Sequence, residues 1–203
     1  MTTQTKEIQS SLTPKDALTV LKEGNTRFVN GQRDARDYKE QVAISSTGQF
    51  PFAAVLSCID SRVPVELVFD QGIGDLFSAR VAGNIINEDI LGSLEYSCKV
   101  AGSKLIVVLG HSKCGAVTAA CKNVELGNIT PMLAKVRPAV EQVINDPSNV
   151  SEEAIEKVAE LNVQLSLDRI RKESPILNEM EQNGEIEIIG AMYDVASGVV
   201  SYL

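Results

Sequence analysis

The sequence predicts an α/β fold: a mainly parallel β-sheet of four strands plus an edge strand, flanked by helices, with an N-terminal helical arm. Three observations carry this. Short continuous apolar runs, Ala53-Ala54-Val55-Leu56-Ser57 and Leu105-Ile106-Val107-Val108-Leu109, read as strands buried on both faces. Stretches of helical period separate such runs, as crossovers between parallel strands require. The chain of 203 residues, 44% hydrophobic, can enclose one sizeable core, and no repeat, low-complexity stretch or linker divides it. It reads as one domain over 1–203: an arm and helix over 1–30, a core over 50–125, and a helical segment with edge strands over 126–203.

The elements follow in order. Residues 1–12 are polar and aperiodic and read as a loose arm. Thr13-Pro14-Lys15-Asp16 supplies a cap, a proline at the first helical position and an acid at the third. An amphipathic helix with Leu18, Leu21 and Phe28 then runs to about Asn30, despite Gly24, with its apolar side available to its own core or to a second chain. Residues 31–49 are charged and loop-like. After the strand at Ala53–Ser57, Pro64 opens a short helix through Phe69, and Leu76–Val81 is a second strand. Glu88–Ala101 is a helix with Ile90, Leu91, Leu94 and Cys98 on one side, and Lys104–Leu109 is the third strand. A helix begins at Ala116. Beyond Pro131 the chain is helical, broken at Pro138, Pro147 and Pro175, with a capped start at Ser151-Glu152-Glu153. Glu185–Ile189 alternates like a strand, and Val199–Leu203 pairs with it after a turn at Ser197-Gly198.

Charge and composition exclude several classes. A net charge of −8 without basic clusters argues against a nucleic-acid surface. No apolar run approaches the roughly 20 residues of a membrane span, and the N-terminus lacks the apolar centre of a signal peptide, so the chain as given reads as cytoplasmic. Four cysteines are too few for a disulfide scaffold of this length, and Cys98 and Cys121, in apolar helical surroundings, read as core residues. Gly72-Ile73-Gly74 starts like a dinucleotide fingerprint but lacks the third glycine and precedes a strand.

Two motifs stand at the carboxyl ends of predicted strands, where open α/β sheets form their sites. One is Ser57-Cys58-Ile59-Asp60-Ser61-Arg62, the other Gly110-His111-Ser112-Lys113-Cys114-Gly115. Cys58, Cys114 and His111, which is the only histidine, offer two thiolates and an imidazole, a donor set that suits zinc and leaves a fourth position open. Spacing alone also admits a solitary histidine beside two buried thiols. Asp60 and Arg62 share a face if the segment is extended, and the guanidinium would keep the carboxylate ionised and oriented.

With these residues in view, the chain closely resembles the β-class carbonic anhydrases. The likeness runs through Cys58–Arg62, Val63-Pro64-Val65-Glu66, Asp70-Gln71-Gly72, Gly74–Phe77, Arg80–Asn84, Ser93–Tyr96 and Gly110–Gly115, dense over residues 49–120 and looser outside them. The resemblance implies one Zn2+ per chain held by Cys58, His111 and Cys114, an active-site pair of Asp60 and Arg62, and a substrate pocket lined by Gln49, Phe77, Tyr96 and Gly115. In many members the aspartate can instead turn onto the metal, giving a closed, inactive form. The resemblance also implies a homodimer or a dimer of dimers, with the N-terminal helix over its neighbour and pocket residues from both chains. A subgroup binds regulatory bicarbonate with a Trp three residues before the first Cys. Val55 stands there and the chain has no Trp, so this inhibition is expected to be absent or weak, although Arg80 matches that pocket's arginine.

The implied reaction is reversible hydration of CO2 to bicarbonate and a proton by attack of a zinc-bound hydroxide, zinc having lowered the pKa of its water from about 16 toward about 7. Because the one histidine is already a ligand, the proton is expected to leave through water and buffer, past Tyr96. Two other readings stand beside this one. One is a hydrolase of carbonyl sulfide or carbon disulfide on the same site. The other is a non-catalytic module sensing zinc or bicarbonate, which would need neither Asp60 nor Arg62.

Overall fold

Five strands form one sheet in the order β2-β1-β3-β4-β5 in the computed structural model, which describes residues 4–146 and 149–203. They are β1 (Ala53–Ser57), β2 (Leu76–Arg80), β3 (Leu105–His111), β4 (Glu187–Tyr193) and β5 (Val200–Tyr202). The first four pair in parallel and β5 runs antiparallel to β4, as the sequence predicts. Every residue of β1 and β3 is buried, the mark of parallel strands covered on both faces.

Ten α-helices accompany the sheet among the described residues: α1 (Lys6–Ser11), α2 (Pro14–Val29), α3 (Tyr38–Ser45), α4 (Val65–Val68), α5 (Glu88–Glu95), α6 (Gly115–Cys121), α7 (Ile129–Leu133), α8 (Arg137–Val143), α9 (Glu152–Glu173) and α10 (Pro175–Gln182). On one face, Ala54, Leu56, Ile106 and Val108 of the strands pack with Leu94 of α5, Val163 and Ile170 of α9 and Leu177 of α10. On the other, Val55, Val107 and Leu109 meet Ala17 and Leu21 of α2 and Val68 of α4. Alternate strand residues thus feed opposite layers.

The strand order explains where the site falls. The chain leaves β1 for β2 on one side and later returns to place β3 on β1's other side, so the connections after β1 and β3 diverge. Open α/β sheets place their sites at such a switch, at the carboxyl ends of the strands. The register sets Ser57 opposite Leu109, which brings Cys58 abreast of Gly110 and next to His111.

Helix α2 begins as expected. The Thr13 hydroxyl accepts from the Asp16 amide at 3.2 Å, and the Asp16 carboxylate accepts from the Thr13 amide at 2.9 Å. Gly24 is required inside it, since a Cβ there would lie 1.9 Å from the Phe69 carbonyl oxygen. The helix lies on its own chain's core through Ala17 and Leu21. The predicted helix over Glu88–Ala101 continues past α5 as one π-helical turn, Tyr96–Val100. Cys98 and Cys121 are core residues, 2% and 1% exposed. Pro175 opens α10, Pro138 stands in the first turn of α8 after the break that follows α7, and Ser151 caps α9, while Pro147 lies outside the described residues. No helix among the described residues is long and apolar enough to cross a membrane.

Two expectations are corrected. Of the arm read over residues 1–12, residues 1–3 lie outside the described residues, and the rest is not simply loose, because α1 forms with Thr5 as its cap. Residues 31–49 are not all loop, because α3 forms behind Asp37. Each short helix is fixed by a buried glutamine instead of an apolar stripe. Gln9 donates to the carbonyls of Pro51 at 2.7 Å and Ala101 at 2.8 Å, and Gln41 accepts from the Ile73 amide at 3.0 Å.

Candidate metal centre

Cys58 extends from β1, His111 closes β3, and Cys114 is the residue before α6. Their ligand atoms all lie within 4.8 Å of one another, and all three residues are buried. The two sulfurs are 4.0 Å apart. Two thiolates bound tetrahedrally at about 2.3 Å would stand about 3.8 Å apart, so the pair already has the span of a zinc site.

The histidine is oriented for the same task. Its ring is fully buried, and Nδ1 lies 2.9 Å from the Ser112 carbonyl. A carbonyl only accepts, so Nδ1 carries the proton and Nε2 is left with its lone pair. That Nε2 has no hydrogen-bond partner, a costly condition for a buried nitrogen unless a ligand is meant to meet it. These residues fit zinc by donor chemistry, spacing and tautomer together.

The thiols behave as a pair. With Cys114 as the thiol and Cys58 as the acceptor, the contact pulls the Cys58 pKa well below the usual thiol range, and the Gly83 amide helps. Cys114 is pushed up by the same contact and by burial. The Gly83 amide is 3.3 Å from Cys58 Sγ, in a turn where Gly83 has φ +70°. One thiolate forms readily, and a cation is what allows the second.

Asp60 and Arg62 are paired, though not by the extended geometry expected. The segment turns: the Val63 amide donates to the Asp60 carbonyl at 3.0 Å, and the Arg62 amide to Asp60 Oδ1 at 2.9 Å. An aspartate that bonds a backbone amide two residues on favours a turn over a strand. The guanidinium grips both carboxylate oxygens, Nε to Oδ1 at 2.9 Å and Nη2 to Oδ2 at 2.8 Å. This contact holds the carboxyl well below the usual carboxylate range. Asp60 Oδ2 is 3.9 Å from His111 Nε2, so the carboxylate stands beside the donor set while committed to arginine. Arg80 straps the same loop, donating to the Cys58 carbonyl at 3.0 Å and to the Asp60 carbonyl at 2.6 Å. The sequence drew attention to Arg80 for a bicarbonate pocket, but here the side chain supports the ligand turn.

The expected pocket residues are not gathered here. Phe77 pairs with Ala54, four steps before Cys58, which is about 13 Å along the strand. Its ring meets Tyr96 edge to face at 6.1 Å. Tyr96 also borders a cleft with Gln49 and Phe50. None of the three ligand residues lines that cleft or the one holding Phe77 and Tyr96. Only Gly115, next to Cys114, is local. A further cleft of about 800 Å3 passes Ser112, Lys113, Glu156 and Tyr193, again without a ligand residue.

Several residues that serve the site escaped sequence reading. Asn162, buried on α9, donates to the Gly83 carbonyl at 2.9 Å. Glu156, also on α9, accepts from the Lys113 amide at 2.7 Å. A Cβ at Gly110 would fall 2.6 Å from Met192 Sδ and 2.7 Å from Val163 Cγ2, so glycine there lets α9 sit against the ligand strand. A hydrophilic residue on the long helix was the only sequence signal for Asn162 and Glu156, and it is shared by many surface positions.

Comparison with known proteins agrees with this geometry. The family model described as carbonic anhydrase matches residues 53–200. Carbonic anhydrase 2 of Mycobacterium tuberculosis is 36% identical over 190 residues, covering 91% of this chain and 90% of that protein. The carbonic anhydrase of Mycolicibacterium smegmatis is 35% identical over 192 residues, covering 92% of each. Among solved structures, the β-carbonic anhydrase CafA of Aspergillus fumigatus superimposes with a TM-score of 0.74 at 30% identity, covering 93% of this chain and 89% of that one. Two tetrameric β-carbonic anhydrases of Sordaria macrospora share the fold, with a TM-score of 0.72 at 24% identity, covering 81% of this chain and 86% of theirs.

Proposed function

The chain belongs to the β-class carbonic anhydrases, and from that premise we propose that it hydrates CO2 reversibly on zinc held by Cys58, His111 and Cys114. The observation that carries this is the buried triad, with sulfurs 4.0 Å apart and an unpartnered His111 Nε2 among them. Zinc bound there supplies a water ionised near neutral pH and a Lewis-acidic centre.

The chain's own groups do the rest. Arg62 keeps Asp60 ionised and fixed, so the carboxylate can only accept a hydrogen bond. Placed beside the donor set, it would accept a hydrogen bond from a water held there and so orient that water toward substrate. The lowered pKa of Asp60 means that it stays charged at neutral and alkaline pH and adds no titration of its own there. His111 is fixed through Nδ1 and buried, so it is no shuttle, and protons pass to buffer through water.

The pocket requires more than one copy of the chain. Gln49, Phe77 and Tyr96 lie remote from their own metal centre, and β2, which carries Phe77, is an edge strand with Ser78 and Arg80 exposed. We assign them to the wall of a neighbour's site in a homodimer or dimer of dimers. We also assign the enzyme to the cytoplasm, where paired metal-ligating thiols stay reduced.

Stopped-flow CO2 hydration on protein of known zinc content, at about pH 6.5 to 9, tests the reading. Turnover should track zinc, rise with pH through about 7 as the water ionises, and slow at low buffer. A fully zinc-loaded protein inert at every pH would sink it, and carbon disulfide hydrolysis would then be measured.

A further inference from the structure

The geometry points to Glu156 as a positioning residue for the Asp60–Arg62 pair, an inference that rests on the reading of the site given above. Lys113 lies between the ligands His111 and Cys114 and has φ +54°, a left-handed conformation that a lysine keeps only when its surroundings impose it. The imposing contact is visible. Its amide donates to Glu156 Oε1 at 2.7 Å, a short bond to a carboxylate on the second turn of α9.

That contact turns the other side of the residue toward the site. The Lys113 carbonyl accepts from Arg62 Nη2 at 3.2 Å, the same nitrogen that donates to Asp60 Oδ2 at 2.8 Å. Arg62 is a long side chain, 47% exposed, and outside the Asp60 grip this carbonyl is its one hydrogen-bond anchor among the described residues. A continuous line runs from Glu156 through Lys113 and Arg62 to Asp60. Removing its far end leaves Arg62 with Asp60 alone, and the two are then free to move together away from the donor set.

The same helix supports the other ligand arm. Asn162 donates to the carbonyl of Gly83, whose amide donates to Cys58 Sγ. Helix α9 is therefore a brace across both loops, with Glu156 on the arm that carries the arginine. The cleft beside Glu156 exposes its carboxylate to solvent, so an exchange there leaves the core intact.

The test uses zinc-loaded Glu156→Ala, Glu156→Asp and Glu156→Gln, read by CO2 hydration and by zinc release to a chelator. Alanine removes the acceptor, aspartate keeps the charge but falls short by one methylene, and glutamine keeps an acceptor of equal reach. Outer contacts at metal sites typically control 10–100-fold, so the alanine and aspartate variants are expected to lose about tenfold in kcat with KM little changed and to release zinc severalfold faster. Glutamine is expected within about threefold of the parent on both readouts, since its amide oxygen still accepts. In an Arg62→Ala background the alanine change should cost no more than about twofold, because the line is already cut. If the alanine variant does not accumulate, the aspartate variant carries the comparison. Parental kcat and zinc release in both truncated variants, or an undiminished loss in the Arg62→Ala background, overturns the inference. If the parent itself proves inert toward CO2, the assigned reaction falls. Zinc release then decides alone: faster in Ala and restored in Gln keeps the brace, and unchanged release removes it.

Discussion

Cys114→Ser is expected to purify without stoichiometric zinc and to hydrate CO2 at close to the uncatalysed rate. Serine is isosteric with cysteine but is a neutral, hard oxygen donor at neutral pH, so the set falls from two thiolates and an imidazole to one and one. The remaining thiol also loses the neighbour that lowers its pKa, since the Cys114 contact is the largest cause of the Cys58 shift. The loss of affinity should exceed the 10–100-fold that outer-sphere changes cost. Catalysis goes with the ion, and enzymes commonly owe factors of about 10^6 or more to such machinery. Metal content per chain by mass spectrometry, with stopped-flow on the same sample, reads both. A variant that holds one zinc per chain through a serine at 114 would remove Cys114 from the ligand set.

Asp60→Asn should separate holding the metal from using it. Asparagine keeps the shape, and its oxygen can still accept from Arg62, so the turn and the zinc remain. The amide nitrogen, however, is a donor placed where the mechanism needs an acceptor, and the charge that Arg62 stabilises is gone. Orienting and proton-accepting groups contribute about 10^2–10^4-fold, so kcat is expected to fall by that order with zinc content unchanged. Because Asp60 is held well below the usual carboxylate range, the loss should be nearly constant across the pH scan. Zinc lost from Asp60→Asn and Cys114→Ser alike would show that the two residues do not divide the work.

The contrast between what the sequence revealed and what it hid has a physical basis. β1 and β3 were legible because a strand buried on both faces must be an unbroken apolar run, and their ends carry the Cys58 and His111 motifs. Helix α2 was legible from a cap, a proline and a stripe. Helices α1 and α3 were not, because Gln9 and Gln41 anchor them by amide hydrogen bonds, which leave no periodic trace. The Asp60–Arg62 partnership was readable as chemistry, but its turn was not, since a side chain accepting its own loop's amides competes locally with extension. Glu156 and Asn162 act on backbone groups more than 40 residues away in sequence, Lys113 and Gly83, and only the packing of α9 brings them there.

If a neighbouring chain supplies the pocket wall as proposed, the separation of Phe77 from its own metal centre makes catalytic competence a matter of mass action. A lone chain carries a complete set of metal donors and, on that assignment, half a pocket, so zinc occupancy and specific activity need not decline together. On the proposed assembly, dilution below the dissociation constant gives a folded, metallated and idle protein, and activity per chain rises again with protein concentration. Substitutions on the outer edge of β2 would then act on the catalysis of the neighbouring chain. Mixing an edge-damaged chain with a metal-dead one could return one working site per pair.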